Sequence, residues 1–220
     1  MLLTDYMSST FPGLSLVPPL FYKWPIGIRF ELGTDQADMG YDEVVLHRAC
    51  TLYEAALAPG DLCWIVSGTT KFASIRPGGI RITGNRYRTF CPTVFKLRKP
   101  APFRLRGPAG RFRLVTEDDE DTLATTTFRW ARIQPRAIDY KSILQAKAND
   151  YYHLRRPRTC DRVYFVNRTR NLILHMYDDR GLDIMGARRS DIQLIYDAHR
   201  SWILDYDRAR IEKVFGQAAE

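Results

Sequence analysis

Acidic residues are missing from the middle of this chain. No Asp or Glu occurs between Leu62 and Thr116, although the full sequence contains 25 acidic residues. The same window holds 12 basic residues, and the rest of the chain carries 21 basic and 25 acidic residues. The middle segment alone therefore makes the protein basic, with a net charge of +8.

Long apolar runs and export signals are also lacking. No stretch approaches the roughly 20 apolar residues that a membrane span needs, and the N-terminal MLLTDYMSSTFPG lacks both a basic start and a long apolar run. From these absences we expect no membrane partner and no secretory leader, and they predict a cytoplasmic protein.

The cysteines lack the C-x-x-C spacing of zinc ribbons and redox motifs. There are four, far apart in the sequence: Cys50, Cys63, Cys91 and Cys160. We expect them to act as small buried hydrophobic residues, with a metal or disulfide role as the alternative.

Signatures of common enzymes are absent as well. No H-E-x-x-H or G-x-S-x-G motif occurs, and GTTK at 68–71 is far from a complete P-loop. His175 alternates within an apolar strand pattern, which predicts a packed residue rather than a general base. The sequence therefore favours a protein without catalytic activity, and it predicts no cofactor and no metal.

The basic middle segment has two interpretations. Arginine outnumbers lysine there by nine to three and aromatic residues are interleaved, a mixture that suits phosphate contacts and base stacking. The candidate anion-binding residues are Arg86, Arg88, Arg98, Lys99, Arg104 and Arg106. Alternatively, these arginines form the solvent side of strands, because they alternate with apolar residues in RFRLV and FRLR.

Length and composition predict one domain over residues 1–220. Apolar residues make up 45% and charged residues 26%, which is typical of globular proteins. Residues 1–20 are Pro-rich and predict an irregular lead with at most a short helical turn. Residues 68–110, rich in Gly, Pro and Arg, are the least regular part.

Between these segments, the first half of the chain predicts a β-α-β unit. Residues 26–32 alternate as a half-buried strand, residues 42–58 show helical spacing, and residues 62–67 form a short apolar strand. This order suggests that the two strands are parallel.

The second half predicts a hairpin, a helix, and then a β-meander followed by two helices. RFRLVT and LATTTFRWARI flank an acidic run as hairpin arms, and Asp139 can cap a helix over 140–153. Strands at 163–167, 172–177 and 182–185 follow. Ser190 and Gln193 form a candidate capping box, and a last helix starts near Asp205. The fold class is α+β, with a mixed or mostly antiparallel sheet and about four helices.

Several motifs together resemble a known family. FYKWPIGIRFELG near the start, and VYFVN, HMYDDRGLDIMG and SWILDYDRARIEKVF near the end, are similar to a bacterial family of uncharacterised domains built around a YDDRG motif. The resemblance covers residues 20–66 and 138–215 and implies no activity, cofactor or catalytic residue. Small α+β proteins with such a meander and terminal helices also resemble bacterial immunity proteins that block toxins, an analogy of fold alone.

The YDDRG motif concentrates polar residues that could bind a ligand. Asp178, Asp179, Arg180 and Asp183 could hold Mg²⁺ or a phosphate, or could meet a partner. Alternatively they form a structural turn, in which Asp accepts backbone N–H groups and Gly181 supplies a positive φ.

Arg29 and Glu31 share the polar face of the first strand. If a helix covers that face, both charges need partners, because an unpaired buried charge costs several kcal/mol. Their candidate partners are Asp178, Arg180, Asp205 and Asp207, and the alternative is a catalytic network.

Together these patterns favour a module that binds a macromolecule without catalysing a reaction. The first hypothesis is a protein partner, as for a toxin-neutralising protein. The alternative is nucleic acid, bound by the arginine-rich middle segment. A third hypothesis is a metal-dependent enzyme that uses Asp178, Asp179 and Asp183.

Overall fold

The computed structural model describes residues 1–34, 40–76, 79–84, 110–119 and 122–216, which form one antiparallel sheet with both faces covered. The helices are α1 (Leu3–Thr10), α2 (Leu20–Lys23), α3 (Tyr41–Ala56), α4 (Tyr140–Ala148), α5 (Arg189–His199) and α6 (Asp205–Phe215). The strands are β1 (Gly27–Glu31), β2 (Cys63–Arg76), β3 (Gly79–Gly84), β4 (Gly110–Asp119), β5 (Thr122–Ile133), β6 (Arg162–Asn167), β7 (Leu172–Met176) and β8 (Gly181–Gly186). Two short 3-10 helices lie at Pro135–Ala137 and Arg200–Trp202.

The strands are ordered β1-β8-β7-β6-β2-β5-β4 across the sheet, and β3 pairs with β2 away from this path. Every described pairing is antiparallel. The α+β class, the C-terminal meander and the two terminal helices are therefore confirmed. Strands β1 and β2 run in the same direction, as expected, because four antiparallel pairings separate them. Their expected pairing is wrong, because the meander β6-β7-β8 lies between them.

One face of the sheet packs against the helices α3, α4, α5 and α6. The core on this face includes Phe30 of β1, Phe165 of β6 and Ile184 of β8, each at most 1% exposed. Tyr53 of α3 stacks on Tyr140 of α4 with ring centroids 4.2 Å apart. The helical face is thus the larger of two hydrophobic cores.

The other face is covered by the N-terminal segment. Leu3, Tyr6, Phe11, Leu16 and Leu20 are all buried there. They pack against side chains that alternate with those of the helical face, including Trp64, Val66, Phe128, Trp130 and Tyr164. The sequence predicts at most a short helical turn in this segment, but residues 3–10 form a helix of about two turns because burial of apolar side chains stabilises it.

Two helix starts show how local signals compete. The predicted cap at Asp139 is confirmed, since its carboxylate accepts the backbone N–H of Ser142 at 3.1 Å. The predicted capping box of Ser190 and Gln193 is wrong. The N-cap of helix α5 is Arg188, two residues before Ser190, and the carboxylate of Asp191 accepts the backbone N–H of Arg188 at 2.8 Å. Helix α4 ends at Ala148, five residues before the predicted end at 153.

Burial predicts unequal effects of shortening two apolar side chains. Ile184→Ala should lower the free energy of unfolding by about 2 to 5 kcal/mol, because it leaves a cavity in the helical-face core. Leu194→Ala, at a position 81% exposed on α5, should change it by less than about 0.5 kcal/mol. Urea denaturation of the two variants measures both changes. Equal losses of unfolding free energy would contradict the burial of Ile184 in the helical-face core.

Candidate functional site

The YDDRG motif forms a closed turn between β7 and β8. Asp178 accepts the backbone N–H of Arg180 at 2.8 Å and its side-chain Nε at 3.0 Å. The backbone N–H of Tyr177 donates to the carbonyl of Gly181 at 3.2 Å. The carboxylate of Asp178 is thus used inside the turn, while the Arg180 side chain is 69% exposed.

Gly181 is required in this turn for a reason other than the predicted one. The described glycines with a positive φ are Gly13 and Gly60, so the expectation of a positive φ at Gly181 is wrong. A Cβ atom on Gly181 would instead overlap the hydroxyl of Tyr177 and lie 2.9 Å from the carbonyl oxygen of Phe30. Close approach of neighbouring groups is what selects glycine here.

Asp179 joins the turn to two other segments. Its carboxylate accepts the hydroxyl of Tyr41 at 3.3 Å and the hydroxyl of Tyr152 at 3.2 Å. Burial, together with the charge of Asp179, raises the pKa of Tyr41 to about 12. The turn is therefore fastened to the start of α3 and to the segment that follows α4.

Arg29 and Asp183 form a buried ion pair across β1 and β8. Nε and Nη2 of Arg29 donate to the two carboxylate oxygens at 2.7 and 2.9 Å. Asp207 at the start of α6 lies 3.8 Å from the same guanidinium. Burial alone would lower the pKa of Arg29, but the hydrogen bonds and charge of Asp183 outweigh it, so the pKa lies above its usual value.

Aromatic rings enclose this guanidinium. Its central carbon lies 4.7 Å from the ring centroid of Tyr22, 5.0 Å from that of Phe21 and 5.2 Å from that of Tyr177. Of the partners that the sequence suggests for Arg29, only Asp207 lies within ion-pair distance among the described residues. Glu31 is exposed and does not share the pair.

The three aspartates that the metal hypothesis needs are directed to different partners. Asp178 holds Arg180, Asp179 holds two tyrosine hydroxyls, and Asp183 holds Arg29. In the part of the chain that the structure describes, no group of three His, Cys, Asp or Glu side chains is arranged to hold a metal ion. The YDDRG motif thus builds a turn and an ion pair rather than a carboxylate cluster.

A cavity of about 870 Å³, lined in part by charged side chains, opens beside this turn at one end of the sheet. We call it the sheet-end cavity. Its lining combines the ends of β1, β7 and β8, the start of β6, and the segment that joins α4 to β6. Arg29, Asp183, His175, Tyr177 and Arg162 all belong to it. A cavity of this size is in the usual range of small-molecule sites.

His175 is fully enclosed beside this cavity. Its Nδ1 lies 2.9 Å from the carbonyl oxygen of Val163, and its ring stacks on Tyr164 at 4.4 Å. Because a carbonyl oxygen only accepts, Nδ1 carries the proton and Nε2 is an acceptor. Burial, with smaller contributions from the nearby charges of Lys147, Arg162 and Arg29, lowers the pKa of His175 to about 3.

Exposed aromatic and basic side chains adjoin the outer side of the turn. Tyr151 is 65% and Leu154 is 96% exposed. The guanidinium carbon of Arg180 lies 5.8 Å from the ring centroid of Tyr151, and that of Arg155 lies 3.9 Å from the ring centroid of Tyr152. We name these five residues, Tyr151, Tyr152, Leu154, Arg155 and Arg180, the Tyr–Arg surface.

The cysteines differ in burial. Cys63 is buried and Cys50 half-buried, as expected of packing residues, whereas Cys160 is exposed. Cys91 lies outside the described residues. So do the candidate anion-binding residues, which are Arg86, Arg88, Arg98, Lys99, Arg104 and Arg106.

Comparison with known proteins identifies the family. A family described as a domain of unknown function, DUF3885, matches residues 3–207. The chain belongs to the DUF3885 family. It is also similar to a protein named "Uncharacterized protein YnaE" from Bacillus subtilis (strain 168), with 20% identity over 222 residues that cover 93% of this chain and 98% of that protein. No solved structure matches the chain.

The resemblance to an uncharacterised domain family is thereby confirmed, and it extends over the basic middle segment that the motifs leave out. As for a membrane, none of the helices in the described part of this DUF3885 protein is long and apolar enough to span one.

Sequence reasoning missed two features of the site. Arg162 lies two residues before Tyr164 on β6, so strand alternation alone could have placed both on one sheet face. Tyr151 and Tyr152 fall beyond the true end of α4, where the predicted helix would have continued.

The buried ion pair of this DUF3885 protein predicts a large loss of stability when one partner is removed. Arg29→Met should lower the free energy of unfolding by about 3 to 5 kcal/mol, because Asp183 is left buried and unpaired. Arg200→Met, which removes a solvent-exposed pair with Glu212, is the control and should have a far smaller effect. Chemical denaturation measures both. Combining Arg29→Met with Asp183→Leu should recover part of the loss, and no recovery would contradict this explanation.

The lowered pKa of His175 predicts a pH dependence. The unfolded chain binds a proton at this residue near its ordinary pKa of 6.5, whereas the folded chain does so only near 3. Stability therefore falls as the pH drops between these values. Relative to His175→Gln, the free energy of unfolding of the wild type should fall by about 2 kcal/mol between about pH 7.5 and about pH 5.

Urea denaturation of both proteins at the two pH values tests this. Other titrating groups, such as His199, are common to both proteins and cancel in the comparison. Parallel pH profiles for the wild type and His175→Gln would show that the imidazole is not held neutral by the fold.

Proposed function

We propose that this DUF3885 protein binds another protein through the Tyr–Arg surface and catalyses no reaction, in the manner of a toxin-neutralising immunity protein. The observation that carries the proposal is the combination of an anchored turn with exposed side chains. Asp178 and Asp179 fix the turn, while Arg180 is 69% exposed beside Tyr151 at 65%.

The composition of this surface favours a protein interface. Tyr and Arg are enriched in the residues that contribute most to protein–protein affinity, and an exposed leucine such as Leu154 can fill a small apolar pocket on a partner. The ring of Tyr152 loses little conformational freedom on binding, since Asp179 already holds its hydroxyl.

The charge balance favours a protein over nucleic acid at this surface. Asp178 neutralises Arg180, and Asp42 accepts hydrogen bonds from Arg155 at 2.7 and 2.8 Å. Binding to nucleic acid draws its affinity from cations that neutralise phosphates, and these two arginines already have carboxylate partners. A surface of mixed charge with exposed aromatic rings suits a protein of mixed charge.

The internal use of the aspartates supports a role without catalysis. The carboxylates of the YDDRG motif hold an arginine and two tyrosine hydroxyls, so they serve to shape the turn. An antiparallel meander with terminal helices resembles the fold of immunity proteins, which is an analogy of fold alone. This analogy suggests a toxin as the protein partner.

Capture of a partner tests the proposal. Tagged protein is used to pull partners from a lysate of the organism that encodes it, at about physiological salt (near 0.15 M), with and without nuclease, and the captured proteins are identified by mass spectrometry. We expect a stoichiometric protein that survives nuclease treatment. Tyr151→Ala combined with Leu154→Ser should weaken its binding about 30-fold, since loss of a central contact costs about 2 kcal/mol.

The matched control replaces one tyrosine and one leucine elsewhere. Tyr206→Ala combined with Leu194→Ser removes side chains that are 85% and 81% exposed on α6 and α5, and it should leave capture unchanged. Equal loss in both double variants would contradict the proposed surface. Capture of nucleic acid alone, lost in high salt, would instead assign function to the arginine-rich middle segment.

A further inference from the structure

His175, in the lining of the sheet-end cavity, carries a buried hydrogen-bond acceptor that no described residue satisfies. Its Nε2 has no hydrogen-bond partner among the described residues, although the residue is only 2% exposed. An unsatisfied buried polar atom costs about 1 to 3 kcal/mol, so such atoms mark places where an external group binds. Since Nδ1 donates to Val163, the group that meets Nε2 must be a hydrogen-bond donor.

The cavity lining also includes a cation that has no carboxylate partner among the described residues. Three basic residues of the lining each hold their own acid, in the pairs Arg29–Asp183, Lys147–Asp150 and Arg180–Asp178. Arg162 differs, because among the described residues no carboxylate lies within 4.0 Å of it, and its one hydrogen bond is to Thr126 at 3.4 Å. A guanidinium with free donors is a site for a carboxylate or phosphate.

The remaining acid of the lining is too distant to neutralise Arg162. Glu31 lies on β1, which is separated from β6 by β8 and β7. Three strand spacings correspond to roughly 14 Å. The exposed position of Glu31 leaves its carboxylate to solvent.

Arg162 and His175 leave the same face of the sheet. Phe165 pairs with Leu174, so Tyr164 lies opposite His175, and their rings stack. Arg162 is two residues before Tyr164 on β6 and therefore points to that face. Its Cα is a diagonal neighbour of His175, at roughly 7 to 8 Å. A molecule of about three carbons can span the two side chains.

We propose that the sheet-end cavity binds a small organic anion that also carries a hydroxyl or amino group, with Arg162 holding the anion and Nε2 of His175 accepting the hydrogen bond. Tyr177 and Cys160 supply further walls of the cavity. A metal ion is a poorer occupant, because three cationic side chains act on the imidazole and no ligand group of three is arranged in the described residues. This site goes beyond the proposed function, which uses neither Arg162 nor His175.

Four small probes separate the two parts of the proposal. Glycerol 3-phosphate and glycerate carry an anion and a hydroxyl, methyl phosphate carries the anion alone, and glycerol carries the hydroxyls alone. Calorimetric titration of the full chain should show binding of glycerol 3-phosphate or glycerate about tenfold or more tighter than that of methyl phosphate and glycerol. Which of the two binds better distinguishes a phosphate from a carboxylate ligand.

Matched variants locate the site. Arg162→Gln should weaken binding of the better probe about tenfold or more, whereas Arg132→Gln, at an exposed arginine on β5 outside the lining, should change it less than about twofold. In the wild type, the Nε2 resonance of His175 in nitrogen-15 NMR should shift when the probe saturates the protein, because Nε2 then accepts a hydrogen bond.

Three outcomes would overturn the proposal. The first is no binding of glycerol 3-phosphate or glycerate up to about 100 mM, which means a binding free energy weaker than about −1.4 kcal/mol. The second is equal binding of the probe by the Arg162→Gln and Arg132→Gln variants. The third is an unchanged Nε2 resonance when the probe saturates the protein. Failure here is separate from failure of the proposed function. Arg162→Gln protein should still capture the partner, since Arg162 is not part of the Tyr–Arg surface.

Discussion

The buried pair of Arg29 and Asp183 holds the polar end of this fold together. It joins edge strand β1 to β8, and through Asp207 it reaches the start of α6. The hydroxyl of Tyr22 on α2 also donates a hydrogen bond to Asp207. Through Asp183 and Asp207, the guanidinium therefore links two strands and two helices. Both charges are buried, so an arrangement that separates them leaves unpaired charges inside the protein, at a large cost in free energy. The pair therefore favours one arrangement of these elements.

The need to pair these buried charges gives one face of the sheet an apolar part and a polar part. From β2 and β5, the side chains Trp64, Val66, Phe128 and Trp130 present an apolar surface, which the N-terminal segment covers. Toward β1, the row continues as His175, Asp183 and Arg29, where an apolar cover would leave polar groups unpaired. The sheet-end cavity lies where this change of polarity occurs.

The turn that follows β7 connects this interior to the outer surface. Asp178 and Asp179 are buried, and their carboxylates accept hydrogen bonds from Arg180, Tyr41 and Tyr152. The exposed face of the turn is therefore formed by Arg180 and the adjacent tyrosines. The fixed turn lies beside both proposed sites, the Tyr–Arg surface and the sheet-end cavity, and Tyr151 and Arg180 belong to both. Neither site needs the arginine-rich segment that dominates the net charge.

The sequence by itself determined the features that depend on neighbours within a few residues. β-rich segments around short polar turns marked β6, β7 and β8, Asp139 marked the start of α4, and Asp178 marked a turn, since each signal acts through local backbone geometry.

Tertiary structure decided the other features. The N-terminal helix forms because its apolar side chains are buried against one face of the sheet. Strand β1 pairs with β8 rather than β2, and Arg29 is buried while Glu31 is exposed. Local periodicity encodes which way a side chain points, but which distant residue meets it depends on contacts between segments more than 150 residues apart, such as Arg29 and Asp183 with a separation of 154.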